Sequence, residues 1–119
     1  MALQQAVETF TPDNLFAAVQ LMPVIPGEIT VASGEGKLTR GALLTSAGKH
    51  ATKGASSTDE VYAVLAEDVD ATSAAVTAPV YFTGEFNEAA LNFKAGNSGT
   101  LEDFRVSARK VGIFFRKNI

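Results

Sequence analysis

After Gly27 the apolar residues recur in short alternating runs, which glycine and small polar residues interrupt. Residues 28–31, 61–65 and 76–82 each repeat with a period of two, as residues on one face of a strand do. Short runs of this period, bounded by turn residues, are typical of β-strands. The pattern restricts the chain to a mainly β fold, in which any helix is short.

The spacing of the turn residues predicts how these strands follow one another. Residues 33–36 (SGEG) predict a turn into a return strand over residues 38–45, and the polar residues 45–58 predict a loop or hairpin tip. Pro79 cannot donate a backbone hydrogen bond, so we expect its strand to lie at a sheet edge or to be bulged there. Gly84 is expected to end that strand.

Two short helices are expected near the C-terminus. Asn87 is a plausible N-cap for a helix over residues 88–91. Thr100 and Asp103 have the spacing of a capping box at the start of a second helix, and Gly112 is suited to its C-terminal end. An apolar stripe is predicted along the second helix, formed by Leu101, Phe104, Ala108 and Val111. A last strand is expected over residues 113–115.

The first 26 residues differ from the rest, because they contain no Lys or Arg and include three of the four prolines. Their large apolar residues follow neither the strand nor the helix period, so this segment cannot form a core of its own. The sequence therefore predicts an extended N-terminal arm over residues 1–26 and a β-rich body over residues 27–119.

Composition excludes several classes of function. The chain is 46% hydrophobic and 19% charged, with a net charge of −3, so it is a folded domain with little attraction for nucleic acid. It has no cysteine and one histidine, which leaves no thiolate chemistry and little scope for histidine catalysis or zinc binding. No apolar run reaches the length of a membrane span, and no export signal precedes the body. We expect no cofactor, metal, nucleic acid or membrane partner, and synthesis in the cytoplasm without secretion.

Each candidate chemical motif has a simpler interpretation. Residues 33–37 (SGEGK) lack the first glycine and the Ser or Thr of a phosphate loop, so they indicate a turn. The acidic residues 67, 68 and 70 lack the glycine and the distal glutamate of a calcium loop, so they indicate a solvated turn. Glu85 and Glu88 could be paired carboxylates, but electrostatics at a helix start explain them better. His50 is expected to be solvated and without a partner.

The C-terminal basic residues are expected to face solvent or an acidic protein surface, because no aromatic platform for nucleic acid separates them. They are Arg105, Arg109, Lys110, Arg116 and Lys117. The sequence predicts no enzyme active site.

The remaining positive feature is the arm. Its apolar residues and backbone groups could be satisfied by adding an extended segment to the sheet of another protein, with Phe10, Leu15 and Phe16 as side-chain anchors. The alternative is that the arm wraps its own domain.

Several segments resemble one family, the lambda-type head decoration (capsid cement) proteins of bacteriophages. The likeness runs in order along nearly the whole chain and departs from the family over residues 17–26. It is carried by FTPDNL (10–15), KLTRGALL (37–44), VLAEDVDA (64–71), PVYFTGEFN (79–87) and KVGIFF (110–115).

The resemblance implies a small β-clip-like barrel with two short helices, assembled as a homotrimer on the outer surface of the phage head. Such trimers occupy threefold positions of the expanded capsid and stabilise it against the pressure of packaged DNA, without enzymatic activity or cofactor. The partner is the major capsid protein, which the N-terminal arm binds. The residues implied in this contact are Val7, Phe10, Thr11, Pro12, Leu15 and Phe16.

A second hypothesis from another class remains open, a small β-rich accessory module that binds a ligand or carbohydrate. It requires a pocket with aromatic side chains, for which the sequence offers Tyr62 and Tyr81 but no tryptophan.

Overall fold

A twelve-residue strand organises the computed structural model, which describes residues 15–16, 23–53, 58–94 and 100–117. The strands are β1 (Ile25–Val31), β2 (Gly36–Leu38), β3 (Leu43–Leu44), β4 (Ala63–Leu65), β5 (Val69–Ala71), β6 (Val76–Asn87) and β7 (Ile113–Arg116). Two 3₁₀ turns, Glu88–Ala90 and Leu101–Phe104, precede the helix α1 (Arg105–Lys110). The predicted mainly β fold is confirmed.

The long strand β6 lies between its neighbours in a five-stranded sheet of order β1-β6-β4-β3. β1 and β4 pair with it antiparallel, while β7 pairs parallel with its last four residues. Parallel neighbours need a long crossover connection, and the segment between β6 and β7 that includes α1 supplies it. β2 and β5 form a separate two-stranded ladder.

The sheet is buried on both faces because alternate residues of β3 and β4 belong to two different apolar clusters. Leu43 and Val64 join the first cluster, and Leu44, Ala63 and Leu65 join the second. The first cluster also contains side chains from the helical segments, namely Leu91, Phe104 and Ala108. The second is completed by residues of the β2–β5 ladder, Leu38 and Ala71. All three residues of β4 are therefore buried, on both faces of the sheet.

Gly84 does not end its strand, as the sequence suggested, but lets it change faces. Before Gly84 the even-numbered residues Ala78 and Val80 lie in the second cluster, whereas Phe86 lies in the first. Gly84 has φ +146°, a conformation that L side chains rarely adopt, and it stays paired with Ile113. The glycine therefore lets the strand continue while its even-numbered residues move from the second cluster to the first.

The predicted hairpin of β1 with a return strand is wrong. β1 pairs with β6, and residues 38–45 are divided between β2 and β3 by a turn at Gly41. The local turn at residues 33–36 forms as predicted, but it leads into the ladder with β5. Turn signals are local, whereas the choice of strand partner is made by long-range packing.

Pro79 lies in a central strand, not at an edge, and the register shift between β1 and β6 falls at Phe82, which lies between the pairs Pro26–Tyr81 and Ile25–Thr83. Towards β1, Pro79 pairs with Glu28. On the other side the β4 ladder reaches only Val80, and the Pro79 carbonyl accepts a hydrogen bond from the Ala66 backbone N at 3.0 Å. The sheet tolerates the missing backbone N–H of Pro79 because the β4 ladder ends at Val80, so that no residue of β4 pairs with Pro79.

The helix signals are confirmed at their ends but not in their lengths. Asn87 caps one 3₁₀ turn by accepting a hydrogen bond from the Ala89 backbone N at 3.1 Å. The Asp103 carboxylate accepts the Thr100 backbone N–H at 2.6 Å, which lowers the pKa of Asp103, and Gly112 follows the helix end at φ +87°. One α-helix and two 3₁₀ turns therefore stand where two helices were expected. In the predicted apolar stripe, Val111 is exposed.

The described strands do not form the closed barrel that was expected. β1 and β3 stand at opposite ends of the sheet order and do not pair with each other. The outer side of β3 carries isolated bridges instead, from Leu44 to His50 and from Ala42 to Asn92. Local chain segments thus occupy the edge that barrel closure would use.

A matched pair of glycine substitutions tests the packing of the turn between β2 and β3. Gly41 and Gly34 have φ of +98° and +93°, so alanine costs about 1–2 kcal/mol of backbone strain at either position. A Cβ on Gly41 would stand 2.3 Å from the Ala90 carbonyl oxygen, whereas one on Gly34 meets nothing within 4 Å. In urea unfolding we expect Gly41→Ala to lose about 1–3 kcal/mol more stability than Gly34→Ala. Equal losses would contradict the packing of this turn against residue 90.

Candidate functional site at the root of the N-terminal segment

Residues 15 and 16 lie along the end of β6, on the edge opposite β7. The Leu15 carbonyl oxygen accepts a hydrogen bond from the Asn87 backbone N at 2.7 Å. Phe16 forms an antiparallel bridge with Phe86, which pairs on its other edge with Phe115 of β7. The root of the predicted arm is thus a strand addition to the chain's own sheet.

The Leu15 side chain is a core residue, with 1% of its surface exposed. It belongs to the first apolar cluster together with Phe86 and Leu91. Complete burial of a leucine contributes about 1.5–3 kcal/mol, enough to hold the root in place.

Phe16 packs between two aromatic rings and remains partly exposed. Its ring centroid lies 4.9 Å from Tyr81, edge to face, and 5.2 Å from Phe86, stacked. Aromatic pairs in these geometries contribute about 0.5–1.5 kcal/mol beyond the area that they bury.

Arg40 covers this aromatic group. Its guanidinium carbon lies 5.9 Å from the Phe16 ring centroid and 5.6 Å from that of Tyr81, both within cation–π range. Nη1 donates to the Ala66 carbonyl at 2.7 Å and to the Tyr81 hydroxyl at 3.1 Å. The Arg40 backbone N donates to the Asp68 carboxylate at 2.8 Å. Arg40 therefore ties the root to the turn between β4 and β5.

The six predicted contact residues are divided by the structure. Val7, Phe10, Thr11 and Pro12 lie outside the described residues. Leu15 and Phe16 pack against their own domain, as in the alternative in which the arm wraps the body. The contact of these six residues with a capsid protein stays a prediction.

The predicted boundary after residue 26 also stays a prediction, but the first strand already begins before it. β1 starts at Ile25, and the Pro23 carbonyl accepts a hydrogen bond from the Thr83 hydroxyl. Residues 23–26 are therefore joined to the sheet of the body.

Truncation of the anchor tests the docking of the root. Leu15→Ala should lower the free energy of unfolding by about 2–5 kcal/mol, because it leaves a cavity in the first cluster. The control Ile25→Ala removes a side chain that is 51% exposed and should cost less than about 1 kcal/mol. Urea unfolding measures both values, and a Leu15→Ala protein as stable as the control would show that the root does not dock.

The two glutamates considered as an acid–base pair are held by separate arginines. Glu85 is buried in β6, where Arg116 of β7 donates to its carboxylate. Glu88 accepts from Arg105 at 3.0 Å. The interpretation as helix-start electrostatics is therefore wrong for Glu85, which lies inside a strand and ties β6 to β7.

Arg105 is a structural residue. Besides Glu88 it pairs with Glu102 at 2.8 Å, donates to the Phe115 carbonyl and lies over the Phe115 ring at 5.6 Å. The Arg105 side chain lowers the pKa of Glu102, and both glutamates raise the pKa of Arg105. The expectation that the basic residues face solvent or another protein is wrong for Arg105, which is held by two glutamates of its own chain.

His50 is half-buried and partnered, contrary to the prediction of a solvated side chain. Its Nε2 lies 2.9 Å from the Asn92 side-chain oxygen, and its backbone N donates to the Glu35 carboxylate at 2.8 Å. Burial lowers the pKa of His50, and the hydrogen bonds with Asn92 oppose that shift. The antiparallel bridge from Leu44 to His50 makes residues 45–49 the tip of a hairpin, one of the two forms predicted for residues 45–58.

The lowered pKa of His50 predicts an acid-sensitive stability. The unfolded chain gains a proton near pH 6.5, before the folded state does, so stability falls as pH drops below that value. The urea midpoint of the wild type should decrease between pH 7.5 and pH 5.5. His50→Gln, which removes the single histidine, should flatten this dependence. Parallel curves for the two proteins would contradict it.

The described surface offers shallow clefts with charged linings. One is lined by Glu85, Arg105, Arg109 and Arg116 together with Phe114 and Phe115, and most of its charged groups pair with one another or with nearby acids. Tyr81, one of two tyrosines available to a ligand-binding module, is occupied by Phe16 and Arg40. The described residues contain no group of three potential metal ligands and no helix long and apolar enough to cross a membrane.

Sequence reasoning missed Arg40 and Asn92, and it assigned Glu85 to a helix start and not to its ion pair with Arg116. Arg40 lies in KLTRGALL, one of the segments that carry the family resemblance. Nothing in this segment shows that Arg40 contacts Phe16, which lies 24 positions earlier in the sequence. A charged residue inside the apolar run of β6 was an available signal for Glu85, since a buried carboxylate needs a cationic partner.

Comparison with known proteins gives one match. A family model described as Bacteriophage lambda head decoration protein D matches residues 7–108. The comparisons with curated proteins and with solved structures gave no match.

Proposed function

Because the chain belongs to the family of bacteriophage lambda head decoration protein D, a family of structural proteins of the phage capsid, we propose that it acts as a homotrimeric cement. In this proposal it binds threefold positions on the outer surface of the expanded head. The N-terminal arm contacts the major capsid protein, and the bound trimer stabilises the shell against the pressure of packaged DNA. The action is mechanical and requires no cofactor.

The anchored root is the observation that supports this mechanism best. Leu15 and Phe16 are fixed on β6, and 14 residues precede them. At about 3.3 Å per extended residue these residues can span roughly 45 Å. A firm root lets the arm pass load from the shell into the body's sheet.

Strand addition suits the composition of the arm. The segment ahead of Leu15 contains Val7 and Phe10 as side-chain anchors and has no basic residue. Backbone hydrogen bonds to a sheet edge of the capsid protein would supply affinity, and the apolar side chains would supply specificity. Pro12 limits pairing between arms of different copies.

The energetics of a cement follow from mass action. A protein that binds only the expanded shell stabilises it by about 2.7 kcal/mol per site at a hundredfold excess over the dissociation constant. Three arms on one trimer can raise affinity by ~10²–10⁴ over a single arm. Weak individual contacts are therefore sufficient.

Removal of the arm tests the proposal. Deletion of residues 2–12 retains Leu15 and Phe16 and should leave the far-ultraviolet circular dichroism and the oligomeric mass unchanged. Co-sedimentation with expanded heads should fall to background, because the loss of all three arms removes more than the ~10²–10⁴-fold gain of three arms over one.

Point variants sharpen the same assay. Phe10→Ser should weaken head binding in part, whereas Tyr62→Ser, which changes an exposed aromatic residue of the body, should bind as the wild type does. Full binding by the deleted protein would overturn the role assigned to the arm.

A further inference from the structure

Exposed apolar side chains gather where α1 meets β7. Val106 is 67% exposed and Val111 is 38% exposed. Both lie in the helical segment between the capping box at Thr100 and the helix end at Gly112. Val106, Arg109, Lys110 and Phe114 line one shallow cleft, and Val111 follows directly in the turn. We call these five residues the helix–strand face.

The apolar surface continues from the helix–strand face onto the start of β1. Gly84 donates its backbone N–H to the Gly112 carbonyl at 3.1 Å, and a Cβ on Gly84 would lie 3.4 Å from Val24 Cγ2. Val24 and its neighbour Ile25 are both exposed. Four of the five exposed large apolar side chains in the described ranges therefore surround this junction. Concentrations of this kind mark interaction sites on small proteins.

Charge distinguishes this surface from the rest of the chain. Residues 105–119 contain five of the ten basic residues and no acid, whereas residues 1–104 contain five basic and thirteen acidic residues. Arg105 and Arg116 are held by internal glutamates. Arg109 and Lys110 form no ion pair with any acidic side chain in the described part of the chain. Their positive charge is available to a partner.

We infer that the helix–strand face is the surface through which copies of this chain assemble, each face receiving an acidic surface of the next copy. The inference rests on the proposed trimer and names its interface. In a cyclic trimer each subunit contacts its neighbour through two different surfaces. Such an interface is favoured when one of these surfaces is basic and the other is acidic. A basic face on a chain that is otherwise acidic has this property.

The position of the arm root favours a second copy over the shell as the occupant. β7 pairs with one edge of β6, and Leu15 and Phe16 occupy the opposite edge. Subunits joined through α1 and β7 therefore leave the root of each arm uncovered. If the helix–strand face bound the shell, the exposed apolar side chains that surround it would not be available for contacts between subunits of the trimer.

Substitutions on the face test the inference without disturbing the core. Val106→Asp places a carboxylate in the first turn of α1, where the helix dipole favours it, and Arg109→Glu changes a side chain exposed to solvent. Light scattering over a concentration series gives the oligomeric mass. We expect a wild-type trimer and a dissociation constant raised on the order of 10²-fold in the double variant, with unchanged circular dichroism. The control Lys37→Glu reverses an exposed charge on β2 and should remain trimeric.

A label reports the same contact directly. The chain has no cysteine, so Val106→Cys carries a single environment-sensitive dye. Its emission should shift to the blue with rising protein concentration, in step with trimer formation. A dye on Lys37→Cys should not shift.

The outcomes separate the inference from the proposed function. A double variant that stays trimeric like the wild type overturns the interface, while the head-binding assay of the arm deletion still decides the cement role. A double variant that stays trimeric but no longer binds heads assigns the face to the shell and also overturns it. A wild type that is monomeric throughout the series removes both the trimer and this interface.

Discussion

The double burial of β6 is the constraint on which the rest of the structure depends. This strand pairs with β1, β4 and β7, and its side chains enter both apolar clusters. Alternate residues of the strand reach both clusters, as Val80 and Tyr81 do, and Gly84 then reverses which residues face which cluster. The helical segments then cover one face of the sheet, and the β2–β5 ladder covers the other.

The end of β6 connects this architecture to function. Asn87 caps the following 3₁₀ turn with its side chain and holds Leu15 with its backbone N–H. Phe86 packs against Phe16 on one edge and pairs with Phe115 on the other. The last four residues of β6 thus connect the arm root to the helix–strand face, the two regions that we assign to shell binding and to assembly.

Several charged side chains join elements of the fold. The ion pair of Glu85 with Arg116 links β6 to β7. Arg105 links α1 to both 3₁₀ turns, to the first through Glu88 and to the second through Glu102. Arg40 joins an aromatic group to a distant carbonyl. Partly exposed pairs of this kind contribute little to stability individually, but buried ends such as Glu85 require their partner. Among the described residues Arg109 and Lys110 form no ion pair, as is also true of several exposed lysines, but they lie beside exposed apolar side chains.

The sequence by itself determined what depends on near neighbours: the period-two strands, the caps at Asn87 and Thr100, the helix end at Gly112 and the order of family segments. Tertiary structure decided which strands pair, how Pro79 fits a central strand, the burial of His50 and the packing of Leu15 and Phe16 on their own sheet. Capping and alternation are set by residues a few positions apart. Pairing and burial are set by residues that meet only when the chain is folded, as Phe16 and Phe86 do across 70 positions.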